Sequence, residues 1–257
     1  METVASLIRA LAVGICLVVS TTLSADNWII IGDATENPKI YLEEETPKGV
    51  LIDILDYVQR ETGDSYQYLL YPWARAYLMA ERGTGAIVGF SKNEERLQRY
   101  DYSEVIYNED ILLVVMKGNE FSYTGIESLY GKRVGAVRDG SYGDQFDLAR
   151  QQRKFTLIED NNATHRLKLL FYGRSDIALI GSGAAGLMNS LREDPQLWQN
   201  RHLFVPLDRP FRRDPNYLGV LKGSYDPALL ERFNKALRRG YEGGDIPAII
   251  ERHAGQP

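Results

Sequence analysis

The sequence predicts an α/β fold built as two similar lobes. Apolar strand-like runs alternate with segments of helical spacing along the whole chain. One such series runs from Asn27 to Met116, and a second with the same grammar begins near Thr124. The composition is globular, 44% hydrophobic and 25% charged over 257 residues, which is enough for one or two domains.

In chain order, Arg9 precedes an apolar stretch, Ala10 to Val19, and a small-residue exit, Ser20 to Ala25. That pattern is a secretory signal, too short to span a membrane. Cleavage is expected after Ser24 or Ala25. The single cysteine, Cys16, lies inside the signal, so the exported chain, residues 26–257, is expected to be cysteine-free, soluble and dependent on its core alone. Asn27 to Gly32 reads as a buried first strand, and Asp33 to Pro38 as a loop. The run Glu43-Glu44-Glu45 reads as a solvated loop. Val50, Leu51, Ile54, Leu55 and Val58 keep helical spacing up to Gly63. Tyr66 to Tyr71 is a strand, Trp73 to Arg82 a helix stopped by Gly83, and Ala86 to Phe90 a strand. A polar turn carrying Arg96 follows, and then the aliphatic strand Ile111 to Met116.

The second series has a short helix at Ile126 to Leu129 and a strand at Arg133 to Val137. A Gly140-Ser141-Tyr142-Gly143 turn then leads into a helix from Asp144. A strand at Phe155 to Ile158, a helix capped at Asn161 or Asn162, and a strand at Asp176 to Ile180 come next. A glycine-rich turn with its helix and a strand at His202 to Pro206 complete the series. The chain ends in a strand at Tyr217 to Leu221, a helix capped by Asp226 with Pro227 in its first turn, and a short helix at Ile246 to Arg252.

Open α/β sheets carry ligands at their loop edges, which here are rich in polar groups. Arg96, a short polar turn beyond a strand, is placed either to grip a carboxylate through paired hydrogen bonds or to sit solvated among Glu94, Glu95 and Arg99. Ser91 opens that turn. Trp73 and Arg75 begin a helix, where the ring stacks on a ligand or fills the core and the arginine adds charge or faces water. Ser141 and Tyr142 precede a helix N-terminus, which suits an anion and equally an ordinary cap. Gly181 to Gly186 spell a formal dinucleotide fingerprint, but too little chain follows for a full nucleotide-binding sheet. Three scattered histidines and no cysteine beyond the signal give no metal spacing, so no metal or other cofactor is expected. The net charge of −5, with no clustered basic face, gives no nucleic-acid footprint.

Taken together the residues resemble the solute-binding proteins of family 3, the polar amino-acid-type periplasmic components of ABC importers. Gly49-Val50-Leu51-Ile52-Asp53 is similar to the family's Gly-Phe-Asp-Val-Asp. Arg96 ahead of Asp101-Tyr102-Ser103, Leu129-Tyr130-Gly131-Lys132-Arg133-Val134-Gly135 and Gly173-Arg174-Ser175-Asp176 match further stretches in order and spacing. The resemblance implies a two-lobed periplasmic-binding-protein-like (type II) fold with two crossover hinge strands. Lobe 1 would be residues 26–109 and 215–257, and lobe 2 residues 110–214. It also implies a small polar ligand in the cleft, a permease partner, a monomer and a periplasmic location after signal cleavage. Arg96, Ser141 and Tyr142 would hold a ligand carboxylate, with Trp73, Arg75, Ser91 and Tyr41 shaping the rest.

The sequence departs from that pattern in two places: Val50 and Leu51 stand where the family has an aromatic residue and an aspartate, and Gly181 replaces an aspartate. Amino-acid-binding members carry an aspartate, partner of the ligand ammonium, where this chain has Gly181. A standard amino acid would leave its ammonium unpaired there, which is costly, unless Asp33 or Asp144 takes the aspartate's place. Binding without chemistry is expected. The rival readings are a sensor coupled to a membrane receptor, or a dehydratase or lyase of small carboxylates using Asp33, Glu36 or Asp176.

Overall fold

The structure, a computed structural model, describes residues 26–254. The expected signal segment lies outside them. No helix among the described residues is long and apolar enough to cross a membrane.

The strands form two half-sheets of identical order joined by two long strands. In the first half, Asn27–Asp33 lies between Ser65–Tyr71 and Ala86–Phe90, parallel to both. Ala86–Phe90 then pairs antiparallel with the end of Arg212–Leu221, whose far edge carries Tyr100–Tyr102. In the second half, Arg133–Val137 lies between Thr156–Asp160 and Ile177–Ile180, again parallel. Ile177–Ile180 pairs antiparallel with the end of Tyr107–Met116, whose far edge carries Phe204–Pro206. The long strands Tyr107–Met116 and Arg212–Leu221 pair with each other over Tyr107 to Ile111 and Arg212 to Asn216. Each therefore starts at the junction and ends in a different half. This is the two-lobed fold with two crossover strands.

Burial follows the pleat. Along Ile177–Ile180, Ile177 and Leu179 enter one core cluster while Ala178 and Ile180 enter another. Val88 packs with Trp28, Leu55 and Phe233 on one face of the first half and Ile87 with Trp73 on the other, where Phe90 joins them because a bulge at left-handed Gly89 shifts it off the face of Val88. Burying a side chain such as Phe233 is worth about 1.5–3 kcal/mol. Such faces stabilise a chain with no disulfide among its described residues.

Helix ends follow local chemistry. Val50–Thr62 and Pro227–Gly243 each stop at a left-handed glycine, Gly63 and Gly244. Asn162, rather than Asn161, caps Ala163–Phe171 by accepting from the His165 N–H at 2.8 Å. The acidic run is a solvated turn, as read, through left-handed Glu44 and Glu45, but it closes a small hairpin, Ile40–Glu43 with Thr46–Lys48, that the sequence reading lacks. Other features also differ from that reading. Arg96 lies in a short helix, Glu94–Arg99, capped by Asn93, because Asn93 Oδ1 accepts from the Arg96 N–H at 2.8 Å. A helix at Pro195–Gln199, capped by Asp194, was not foreseen. Both crossover strands begin earlier than their apolar runs, in charged residues.

Candidate binding site at the junction of the two half-sheets

The crossover strands make the floor of a cavity of about 50 Å³. Period-2 alternation turns Glu109, Ile111 and Leu113 inward on one strand and Asp214, Asn216 and Leu218 on the other. Glu109 and Asp214 are direct cross-strand partners. Two like charges placed opposite each other repel, so each has acquired a cation. Lys39 Nζ donates to Glu109 Oε1 at 2.6 Å, and Arg212 Nη2 lies 2.9 Å from Asp214 Oδ1. Asp214 Oδ2 accepts from the Ser91 hydroxyl, and burial raises the Asp214 pKa above the usual carboxylate range.

One wall comes from the first half. The Pro72 turn starts the helix Trp73–Glu81 with Trp73 turned inward, stacked on Tyr77 at 6.4 Å between ring centres. Arg96 comes from its short helix and is 3% exposed. Its guanidinium lies 4.4 Å from the Phe90 ring centre and 4.9 Å from that of Tyr77. It donates to the carbonyls of Ser91 at 3.1 Å and Asp139 at 3.0 Å. Among the described residues no carboxylate pairs with it.

The opposite wall comes from the second half. Ser141 Oγ accepts from Asn93 Nδ2 at 3.2 Å, so the asparagine that caps the Arg96 helix also touches this wall. The Tyr142 hydroxyl accepts from the Val137 N–H at 3.1 Å, and burial raises its pKa. Arg166, at the rear, forms a two-pronged pair with Asp160, at 2.8 and 2.7 Å. Burial opposes its charge, but Tyr142 and Asp160 more than restore it. Trp73 Nε1 also donates to the Asp139 carbonyl, at 3.0 Å, so two donors of the first half converge on one acceptor of the second. Asp139 has φ 58°, a left-handed conformation that Asp tolerates better than most residues.

A second chamber of about 20 Å³ adjoins through Glu36, Arg166 and Gly181. Asp33 lies in it and accepts from the Thr35 N–H and hydroxyl at 2.6 and 2.7 Å. Burial, and then the nearby Glu36 charge, push its pKa up to about 7.

The structure therefore brings Trp73, Ser91, Arg96, Ser141, Tyr142 and Gly181 around one cavity. It does not bring Arg75 or Tyr41 there, and those two expectations are corrected. Arg75 follows Trp73 by two helical positions and faces outward, with its guanidinium 3.7 Å from the Tyr71 ring centre. Tyr41 sits half-buried on the hairpin, outside the cavity lining. Asp176 lies away from the cavity, paired with Arg133. Lys39, Glu109, Arg166 and Asp214 were missed. For Glu109 and Asp214 a signal existed, since each lies in step with the apolar residues that follow it on its strand.

The glycine-rich turn has a steric reason. A Cβ on Gly186 would lie 2.2 Å from the Gly181 carbonyl oxygen, so the helix Gly183–Arg192 approaches its strand only with glycine there. Among the described residues no group of three or more His, Cys, Asp or Glu is placed to hold a metal ion.

The fold is that of several solved proteins. A histidine kinase sensor domain similar to periplasmic binding proteins superposes with a TM-score of 0.76 at 21% identity, over 89% of this chain and 96% of the other. An ancestral arginine-binding protein bound to arginine gives 0.73 at 23%, over 89% and 98%. An ancestral amino-acid-binding protein that is a precursor of cyclohexadienyl dehydratase gives 0.67 at 19%, over 88% and 94%. A comparison with curated proteins finds no match in sequence. Residues 29–256 match a single family over nearly their whole length, and the chain belongs to the bacterial extracellular solute-binding proteins, family 3.

Proposed function

We propose that this protein captures a small, carboxylate-bearing solute in the cavity between its lobes and delivers it to an ABC importer. The observation that carries the reading is Arg96. It is a guanidinium buried at the cavity, bonded to two carbonyls, with no carboxylate partner among the described residues. A ligand carboxylate supplies the missing anion through charge-assisted hydrogen bonds, and Ser141 adds a hydroxyl. Trp73 and Ser91 close the sides. Lobe 1 is residues 26–109 and 215–257, and lobe 2 residues 110–214. They open and close about the crossover strands. The protein works as a secreted periplasmic monomer with a membrane permease as partner, and it carries out no chemistry.

The test is a thermal-shift screen over amino acids, organic acids, amines and short peptides. A true ligand at a hundred times its dissociation constant stabilises by about 2.7 kcal/mol. Arg96→Ala then weakens that ligand by about 1.5–3 kcal/mol, the range for hydrogen bonds to charged groups. Unchanged affinity in the variant sinks the assignment. The likeness to a kinase sensor domain supports a second reading, a periplasmic sensor of the same solute. Co-purification of the liganded protein with a receptor instead of a permease separates the two.

A further inference from the structure

The void in front of Gly181 is occupied by the chain itself. A Cβ added at Gly181 would lie 2.9 Å from Glu109 Oε2 and 3.8 Å from Glu36 Oε1. Two carboxylates thus stand where the sequence lacks one, and between them sits an ammonium. Lys39 Nζ donates to Glu109 Oε1 at 2.6 Å and also pairs with Glu36. The lysine is 6% exposed.

Glu109 has no acceptor capacity left. Oε1 accepts from Lys39 and, at 3.1 Å, from Asn216 Nδ2. Oε2 accepts from the Ser182 N–H at 2.7 Å and its hydroxyl at 3.4 Å. Four donors saturate the lone pairs of one carboxylate. The cation is not incidental, since without it Glu109 would face Asp214 across the ladder uncompensated. Of the cations lining the cavity, Lys39 and Arg166 are thus paired with carboxylates, and Arg96 alone is not, among the described residues.

Building on the solute-binding reading above, we infer that Lys39 is a tethered ammonium filling the ammonium subsite, so that the site takes small carboxylates without an α-amino group and rejects amino acids. An incoming amino acid would have to place a second ammonium beside the Lys39 charge, with Glu109 already saturated and Glu36 already paired to Lys39. The cavity volume agrees. At about 50 Å³ it has room for roughly three to five water-sized groups, which suits a short-chain acid.

The experiment is calorimetry at pH 7 and fixed salt on matched pairs: acetate against glycine, propionate against L-alanine, and succinate against L-aspartate. The expected result is that at least one acid binds tenfold or more tighter than its amino counterpart, and that Arg96→Ala loses the acid. Lys39→Met vacates the subsite and leaves Glu36 and Glu109 to receive a ligand ammonium, so the preference within that pair reverses. An amino acid that binds the unmodified protein as well as its deaminated partner, in an Arg96-dependent way, overturns the inference and leaves the solute-binding reading standing. A Lys39→Met protein that keeps the original preference also overturns the inference alone. If no member of any pair binds, the inference falls and the solute-binding reading is decided by the wider screen; if binding ignores Arg96→Ala, both readings fall. Should Lys39→Met not fold, the unmodified protein and Lys39→Gln decide.

Discussion

Asp33 shows how a single buried acid sets pH behaviour. Its carboxyl accepts two bonds from Thr35, which favour the anion, yet burial and Glu36 outweigh them and bring the pKa to about 7. The folded protein therefore holds a proton that the unfolded chain, with a pKa near 3.9, has released. Between about pH 4 and pH 7 the folded state binds more protons, so stability falls as pH rises through that window. Asp33→Asn cannot ionise and loses this slope, while its side-chain oxygen still accepts from Thr35. The stability of the variant minus that of the parent should rise by roughly 1–4 kcal/mol from pH 4 to pH 7 and level off above pH 8. Urea melts of both proteins across that range measure it, and parallel pH profiles would refute it. At the same scale, Arg75 went astray because two positions along a helix is a rotation of about 200°. With Trp73 buried, Arg75 had to face outward.

Among the elements, the helix Pro227–Gly243 shows sequence signals acting as read. Asp226 accepts from the Ala228 N–H at 2.9 Å, Pro227 occupies the first turn, and Gly244 stops the last. Leu230, Phe233 and Leu237 then lie on one buried face against the first half-sheet. Asp226→Ala should cost about 1 kcal/mol, within the usual range for a lost cap, visible as a lower urea midpoint with unchanged slope. The crossover strands show the opposite case. Arg212, Arg213, Asp214 and Pro215 do not read as strand, because charge and proline are depleted in strands. They form one because they pair along Tyr107 to Ile111 at the junction, where Asp214 gains Arg212 and Ser91 as partners. Local propensity is overridden by pairing that exists only in the folded chain.

For the whole molecule, the question is what holds the lobes together. Trp73 and Arg96 both donate to the Asp139 carbonyl, Asn189 donates to Asn37 at 2.8 Å, and the Glu94 N–H donates to Asp144 at 3.0 Å. Each neutral bond is worth about 0.5–1.5 kcal/mol net, a roughly two- to tenfold bias toward the arrangement of the half-sheets in this structure. Trp73→Phe keeps a ring against Tyr77 and Phe90 but loses the indole N–H. Without added solute the variant should populate the open form more, giving a larger radius of gyration by small-angle X-ray scattering. An unchanged scattering curve would count against these contacts as a latch. The same variant separates the two roles of Arg96, since it breaks a lobe contact and leaves the guanidinium in place.

The sequence alone determined the alternation of strand and helix, the doubling of that pattern and the helix cap at Asp226. These follow from backbone and side-chain periodicity or from chemistry within a few residues, so they can be read locally. It also located the departure at Gly181, but not its meaning. Only the tertiary structure showed that Glu109, 72 positions earlier in the chain, projects its carboxylate into that void and that Lys39 neutralises it. The reason is physical. Which charges meet in a cleft depends on the register of two crossover strands and the approach of two half-sheets, and neither leaves a mark on any short stretch of the chain.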